Sequence, residues 1–190
     1  MKTFELAGAA RTGLGKKAAK TYRKEQSIPC VLYGGKEVVH FTVKTDSVRK
    51  LIYTPDIHLV NLTIDEKNYT TILKDAQFHP VSENILHMDF LEVVDNSPIT
   101  MEVPVVLDGL AEGVKAGGKL VLEIRKLKVK ALYTNIPEKL TINVEELGLG
   151  KTIQVGALSF DNLEILNAKN SVVCSVKMTR AARGAATKGE

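Results

Sequence analysis

The chain has 190 residues, 44% of them apolar and 25% charged, which is enough to bury a core in one large domain or two small ones. Its longest apolar runs are only a few residues, far short of the roughly 20 a membrane-spanning helix needs. Glu5 and Arg11 interrupt the N-terminus where a secretory signal requires an unbroken apolar stretch, so a cytoplasmic protein with no membrane partner is expected.

In chain order, "TFELAGA" alternates like a strand, and "GLG" then opens "KKAAKTYRKEQ", a segment of good helix formers. "IPCVLYGG" is an apolar run ended by paired glycines, with "VVHFTV" as its expected hairpin partner. "TDSVRKLIY" begins with a candidate cap and places Val48, Leu51 and Ile52 at helical spacing. "IHLVNLTI", the turn "DEKN" and "YTTILKDAQF" read as a long antiparallel hairpin, and "NILHMDFLEVV" closes the region. About six strands and two short helices, with too little helix for parallel crossovers, predict a mainly β fold with a six-stranded N-terminal β-barrel.

The turn formers "DNSP" mark a boundary, giving a first domain over 1–94. Beyond it "ITMEVPVVL", "KLVLEIRKLKVKAL", "KLTINVE", "TIQVG", "LEILN" and "SVVCSVKM" are short alternating segments, the pattern of a C-terminal all-β domain over 95–178. Residues 179–190 hold no apolar side chain larger than alanine and are expected to form a basic, disordered tail.

Charge is segregated along the chain. Residues 1–27 carry seven Lys or Arg against two Glu, whereas residues 51–94 carry two Lys against seven acids. A concentrated basic N-terminus is the pattern of a surface that meets phosphates, or of a solvated helix face. With residues 16–26 helical, Lys16, Lys20 and Arg23 line one side, Lys24 beside them, while Ala18, Ala19 and Tyr22 face inward. Arg11 and "TGLG" precede this helix, whose N-terminal N–H groups add to anion binding.

Several motifs invite readings that their surroundings do not support. "GVKAGGKL" ends in Leu where a phosphate loop needs Ser or Thr, and "EELGLGKT" lacks the first glycine. Both lead into β-type sequence rather than a helix, so nucleotide hydrolysis is not expected. Cys30 and Cys174 are the only cysteines, each in an apolar run, and read as buried free thiols.

The densest group of chemistry-bearing residues is "QFHPVSENILHMDFL", residues 77–91. Strand alternation puts Leu86, Met88 and Phe90 on a core face and His87 with Asp89 on the opposite face. Pro80 pushes His79 towards an extended conformation, and Gln77 shares its side of the strand. Three uses fit these residues. His87 and Asp89 can be a plain surface pair, the imidazole oriented by the carboxylate. His79, His87 and Asp89 can serve a metal-dependent hydrolase, although no fourth ligand converges on them. Gln, His and Asp can also read the edges of nucleic-acid bases, with the basic helix supplying phosphate contacts.

"GKKAAKTYRKEQSIPCVLYGGKE" and "QFHPVSENILHMDF" resemble the bacterial large-subunit ribosomal protein twenty-five family. Its pattern is a basic G-K helix, then "iPaxxYG", then Q-x-H-P and, eight residues after that His, H-x-D-F, all present here in order. The resemblance covers residues 1 to about 94, and the β-rich remainder looks like the longer CTC, or general stress, form. It implies a non-catalytic, monomeric protein without cofactor or metal, which binds 5S rRNA at its loop E region within the large ribosomal subunit. It also implies backbone contacts from Arg11, Lys16, Lys20 and Arg23, a hydroxyl or ring contact from Tyr33, and a reading face of Gln77, His79, His87 and Asp89. Phe78 stands where many members have Arg, which removes a phosphate contact that Lys74 on the same hairpin is expected to replace. Lys17 stands where some members have Gly.

Overall fold

The computed structural model describes residues 1–35, 37–94 and 97–180. Two compact units emerge: Met1–Ile99 with Leu132–Thr134, and Thr100–Ala131 with Asn135–Glu190.

The first unit is a closed barrel. Its elements in order are β1 (Lys2–Ala10), α1 (Lys16–Lys24), β2 (Ser27–Tyr33), β3 (Val39–Lys44), α2 (Thr45–Ile52), β4 (His58–Ile64), β5 (Lys67–Phe78) and β6 (Ile85–Glu92). Around the wall the order is β1-β3-β2-β6-β5-β4. The β2–β3, β4–β5 and β5–β6 pairs are antiparallel, while β1 closes on β4 and β2 lies beside β6 in parallel. The "DEKN" turn is a two-residue hairpin loop: Asp65 and Glu66 take φ of 43° and 73°, the left-handed pair that follows the natural twist of two strands.

Alternating residues fill the barrel. Leu6, Ile28, Cys30, Leu32, Phe41, Val43, Val60, Leu62, Met88 and Phe90 form one buried cluster, with the Phe41 and Phe90 rings 5.6 Å apart. Val48 and Leu51 of α2 join this cluster, as their helical spacing predicts. The cap of α2 differs from expectation: Thr45 is the first helical residue, and its hydroxyl donates to the Gln26 carbonyl at 2.8 Å instead of closing the helix end.

Two β-bulges alter the alternation on β5 and β6, and they decide which side chains face outward. Leu73 pairs with Phe90 but Asp75 pairs with Asp89, leaving Lys74 as an extra residue that switches β5 from one face to the other. Gln77 pairs with His87 but Phe78 pairs with Ile85, leaving Leu86 as the extra residue on β6. The predicted core face of Leu86, Met88 and Phe90 is therefore corrected at one position. Ile85 is buried in place of Leu86, which lies half-exposed beside the barrel.

The second unit is built from two sheets. One has the order β10-β7-β9-β12, from β7 (Ile99–Asp108), β9 (Lys126–Ala131), β10 (Leu140–Asn143) and β12 (Glu164–Ile165). The other has the order β11-β13-β8, from β8 (Lys119–Leu122), β11 (Thr152–Gln154) and β13 (Val172–Lys177). "KLVLEIRKLKVKAL" thus holds two strands in different sheets, broken at Glu123–Arg125. β7 and β10 run parallel. A single helical turn, α3 (Glu112–Lys115), was not apparent from the alternating pattern. A side chain on Gly113 would meet the backbone of Gly148 and Leu149 at 2.7 Å, so this glycine lets the first phosphate-loop lookalike pack closely on the second rather than cradle a ligand. Past Met178, the Thr179 hydroxyl donates to the Gly117 carbonyl at 2.6 Å. The rest of the expected tail, residues 181–190, lies outside the described residues.

Candidate nucleic-acid interface

α1 packs along β2 on the outside of the barrel. It buries no residue fully: Ala18, Ala19 and Tyr22 are half-buried, while Lys16, Lys20, Arg23 and Lys24 are exposed. The positively charged side chains are thus held on a helix whose other side rests on the wall. Arg23 anchors its C-terminal turn by donating its Nε–H to the Leu86 carbonyl at 3.0 Å. The bulge at Leu86 lies where the regular ladder is interrupted, and it is this residue's carbonyl that accepts the arginine.

His87 and Asp89 face outward on β6, next to β2. His87 Nδ1 and Asp89 Oδ1 are 2.6 Å apart, and both side chains are about a quarter to a third exposed (25% and 31%). A nitrogen facing a carboxylate carries its proton, so neutral His87 presents Nε2 as an acceptor. Gln77 stands directly across from His87 on β5, and Asp75 stands across from Asp89. Tyr33, at the end of β2, has its phenol pushed up from its ordinary value, first by burial and then by the Asp89 and Asp75 carboxylates. Strict alternation would group Asp75 and Gln77 with the inward Leu73, so sequence reasoning missed Asp75; only the Lys74 bulge brings it to this surface.

His79 behaves differently from its expectation. Instead of being presented by Pro80 alone, its ring turns back into its own loop: Nδ1 accepts the backbone N–H groups of Val81 and Ser82 at 3.3 and 3.2 Å. His79 N donates to the Asn84 carbonyl and Glu83 N to the His79 carbonyl, with Glu83 in the left-handed region at φ 56°. One imidazole nitrogen thus closes the β5–β6 turn and the other is left for a partner.

The remaining expected residues are more scattered. Arg11 follows β1, donates its backbone N–H to the His40 carbonyl at 3.0 Å, and has its Nε buried. Lys74 is exposed at the β5 bulge, and Phe78, in the position expected to cost a phosphate contact, is 43% exposed. Among the described residues, no three His, Cys, Asp or Glu side chains are grouped to hold a metal. The hydrolase reading of His79, His87 and Asp89 has no such centre to rest on, and His79 already uses one nitrogen for its turn. No helix among these residues is long and apolar enough to cross a membrane.

Comparison with known proteins assigns both halves of the chain. Residues 6–90 match the Ribosomal L25p family, and residues 98–180 match the C-terminal domain of ribosomal protein TL5. A protein of Porphyromonas gingivalis named large ribosomal subunit protein bL25 is 65% identical over 190 residues, covering 99% of each chain. The chain belongs to the Ribosomal L25p family. Similarity of the same order extends to other members. The large ribosomal subunit protein bL25 of Azobacteroides pseudotrichonymphae is 65% identical over 96% of this chain and 97% of its own. That of Bacteroides fragilis is 61% identical over 98% and 97%. In this L25p chain the basic helix and the His87–Asp89 pair fall within the matched N-terminal region, which also takes in most of the closed barrel.

Proposed function

We propose that this chain is a structural, non-catalytic protein of the large ribosomal subunit, and that its barrel binds 5S rRNA at the loop E region. The observation that carries the reading is the arrangement of two unlike surfaces on one wall. The exposed cations of α1 rest on β2, and the His87–Asp89 pair lies on the neighbouring β6, with Gln77 across from His87. Phosphate contacts supply affinity without sequence information, and fixed polar groups beside them supply selectivity. Lys16, Lys20, Arg23 and Arg11 take the first role, together with Lys74 on β5. Gln77, His79, His87, Asp89 and Tyr33 take the second. An internal loop of non-Watson–Crick pairs suits such a surface, because the major groove of regular A-form RNA is too deep and narrow for side chains to read.

The names of the relatives support the ribosomal part of this reading, since each is called a large ribosomal subunit protein. The barrel supports the RNA part, because it sets the hydrogen-bonded His87–Asp89 pair on an outward face beside the strand that carries the basic helix. The free protein acts as a monomer and needs no cofactor. Binding of the full chain to 5S rRNA, titrated against salt and compared with a plain duplex of the same length, tests the proposal. Preference for 5S rRNA with a steep salt dependence is expected. Equal affinity for the plain duplex would refute the loop E assignment.

A further inference from the structure

The two histidines of the interface are held in opposite tautomers. Because His79 Nδ1 accepts two backbone N–H groups, neutral His79 carries its proton on Nε2 and presents a donor, where His87 presents an acceptor. Pro80 has no N–H of its own, so the ring bonds the next two residues of the turn.

His79 also lines a groove of about 350 Å³ at one end of the barrel. Arg23 and Gln26 from the end of α1, Asp46 from the first turn of α2, and Ser82 and Asn84 from the β5–β6 turn line it too. Its volume is at the lower end of small-ligand pockets, roughly 300–1,000 Å³. Its chemistry is mixed. Arg23 is a permanent cation and His79 a fixed neutral donor, whereas Asp46 is an acceptor of opposite charge. A compact anion can meet the Arg23 and His79 donors but offers nothing separate to the Asp46 carboxylate. An uncharged base leaves the guanidinium without a charged acceptor from the ligand. A group carrying an anion and, on a carbon frame apart from it, a hydroxyl donor answers both sides of the groove.

We infer that this groove takes one ribose-phosphate unit of the bound RNA strand, an assignment that rests on the RNA-binding reading above. The phosphate oxygens accept from His79 Nε2–H and from the Arg23 guanidinium, whose Nε is already committed to Leu86 and leaves the Nη groups for the anion. The 2′-hydroxyl donates to Asp46. His79 thus moves from the base-reading group to the RNA backbone, which it contacts as a neutral donor, and base reading is left to Gln77, His87 and Asp89.

His79→Asn provides the test. Asparagine places its Oδ1 where Nδ1 stood and accepts the same N–H groups as an Asx-turn, yet it has no donor at the reach of Nε2. Affinity of the full chain for 5S rRNA should fall about tenfold, the scale of a hydrogen bond to a charged acceptor. The salt dependence should be unchanged, because a neutral donor releases no counterion. Nitrogen NMR of the wild-type ring should show the proton on Nε2, and inorganic phosphate alone should not saturate the groove. Wild-type affinity in His79→Asn overturns the assignment. So does loss of affinity in His79→Ala with full retention in His79→Asn, which would leave only the turn-closing role. A proton found on Nδ1, or saturation by inorganic phosphate, overturns it as well. Failure of the wild-type chain to bind 5S rRNA at all would instead bring down the RNA reading, and this inference with it.

Discussion

The Nε–H of Arg23 reaches across from α1 to the carbonyl of Leu86, 3.0 Å away and 63 residues along the chain. This bond joins the helix that carries the positive charge to the strand that carries the His87–Asp89 pair, at the point where β6 bulges. Arg23→Lys keeps the charge but cannot reproduce the planar donor fork. It should lower stability by about 0.5–1.5 kcal/mol in urea unfolding, the scale of one net hydrogen bond. The salt dependence of RNA binding should stay near wild type. Arg23→Gln should also reduce the salt slope by about one unit. Equal stability of Arg23→Lys and wild type would show the anchor to be dispensable.

Lys20 lies on the same exposed face of α1, a helix with no fully buried residue. Lys20→Glu should therefore leave the urea midpoint within about 0.5 kcal/mol of wild type, as surface substitutions do. RNA binding should weaken and its salt dependence flatten. A salt titration by fluorescence anisotropy separates the two effects. An unchanged slope would remove Lys20 from the phosphate contacts.

Asp75 and Asp89 face each other across β5 and β6, but their attachments differ. Asp89 holds the His87 ring, whereas Asp75 Oδ1 accepts the N–H of the neighbouring Ala76 at 2.9 Å. Asp89→Asn should release the His87 tautomer and cost selectivity for 5S rRNA over a plain duplex. Asp75→Asn should tighten binding to both RNAs alike, by removing one negative charge from a surface that meets phosphate. His87→Ala combined with Asp89→Asn should be no worse than the poorer single variant, since the two groups act as a unit. Fully additive losses in that double-mutant cycle would contradict a joint role.

Burial pushes the Cys30 thiol up to about 12, with Asp89 adding to the rise and Arg11 opposing it. The thiol should resist alkylation at neutral pH until the barrel unfolds, because the thiolate is the reactive form. The stability tied to this group is fully present below the ordinary thiol range near 9. It is lost as pH rises from there towards 12, where the unfolded chain has released a proton that the folded chain still holds. Thiol labelling over a urea series should track global unfolding. Rapid labelling in the absence of urea would mean that the barrel opens locally at β2.

Phe90 is wholly buried against Phe41 at the centre of the barrel. Phe90→Ala should cost about 3–5 kcal/mol, from lost transfer energy and the cavity left behind. Leu86→Ala should cost well under half of that, because the bulge leaves Leu86 half-exposed. Comparable losses at the two positions would mean that Leu86 packs as alternation alone suggests.

Much of the barrel was legible along the chain because its signals are local. Alternation marked the strands, paired turn residues marked the β4–β5 hairpin, and Val48 with Leu51 marked the buried side of α2. The basic side of α1 followed from helical spacing in the same way. His87 and Asp89, two residues apart on one strand, were expected to share a face, and they do. In the second unit, "KLVLEIRKLKVKAL" gave no warning of its division between two sheets, since both halves alternate and the break depends on their partners.

What the sequence by itself determined was the inventory of this surface: a basic helix, an outward His–Asp pair, and a barrel of β-strands to carry them. Those features depend on spacings of two to four residues, which local backbone geometry converts directly into faces. The tertiary structure decided the assembly. Bulges at Lys74 and Leu86 arise from register between strands, and no spacing within one strand reports them. They turn Asp75 and Gln77 outward and bury Ile85 in place of Leu86, whose carbonyl receives Arg23. The two imidazoles look alike in the sequence. Their surroundings, a carboxylate for one and two backbone N–H groups for the other, make His87 an acceptor and His79 a donor.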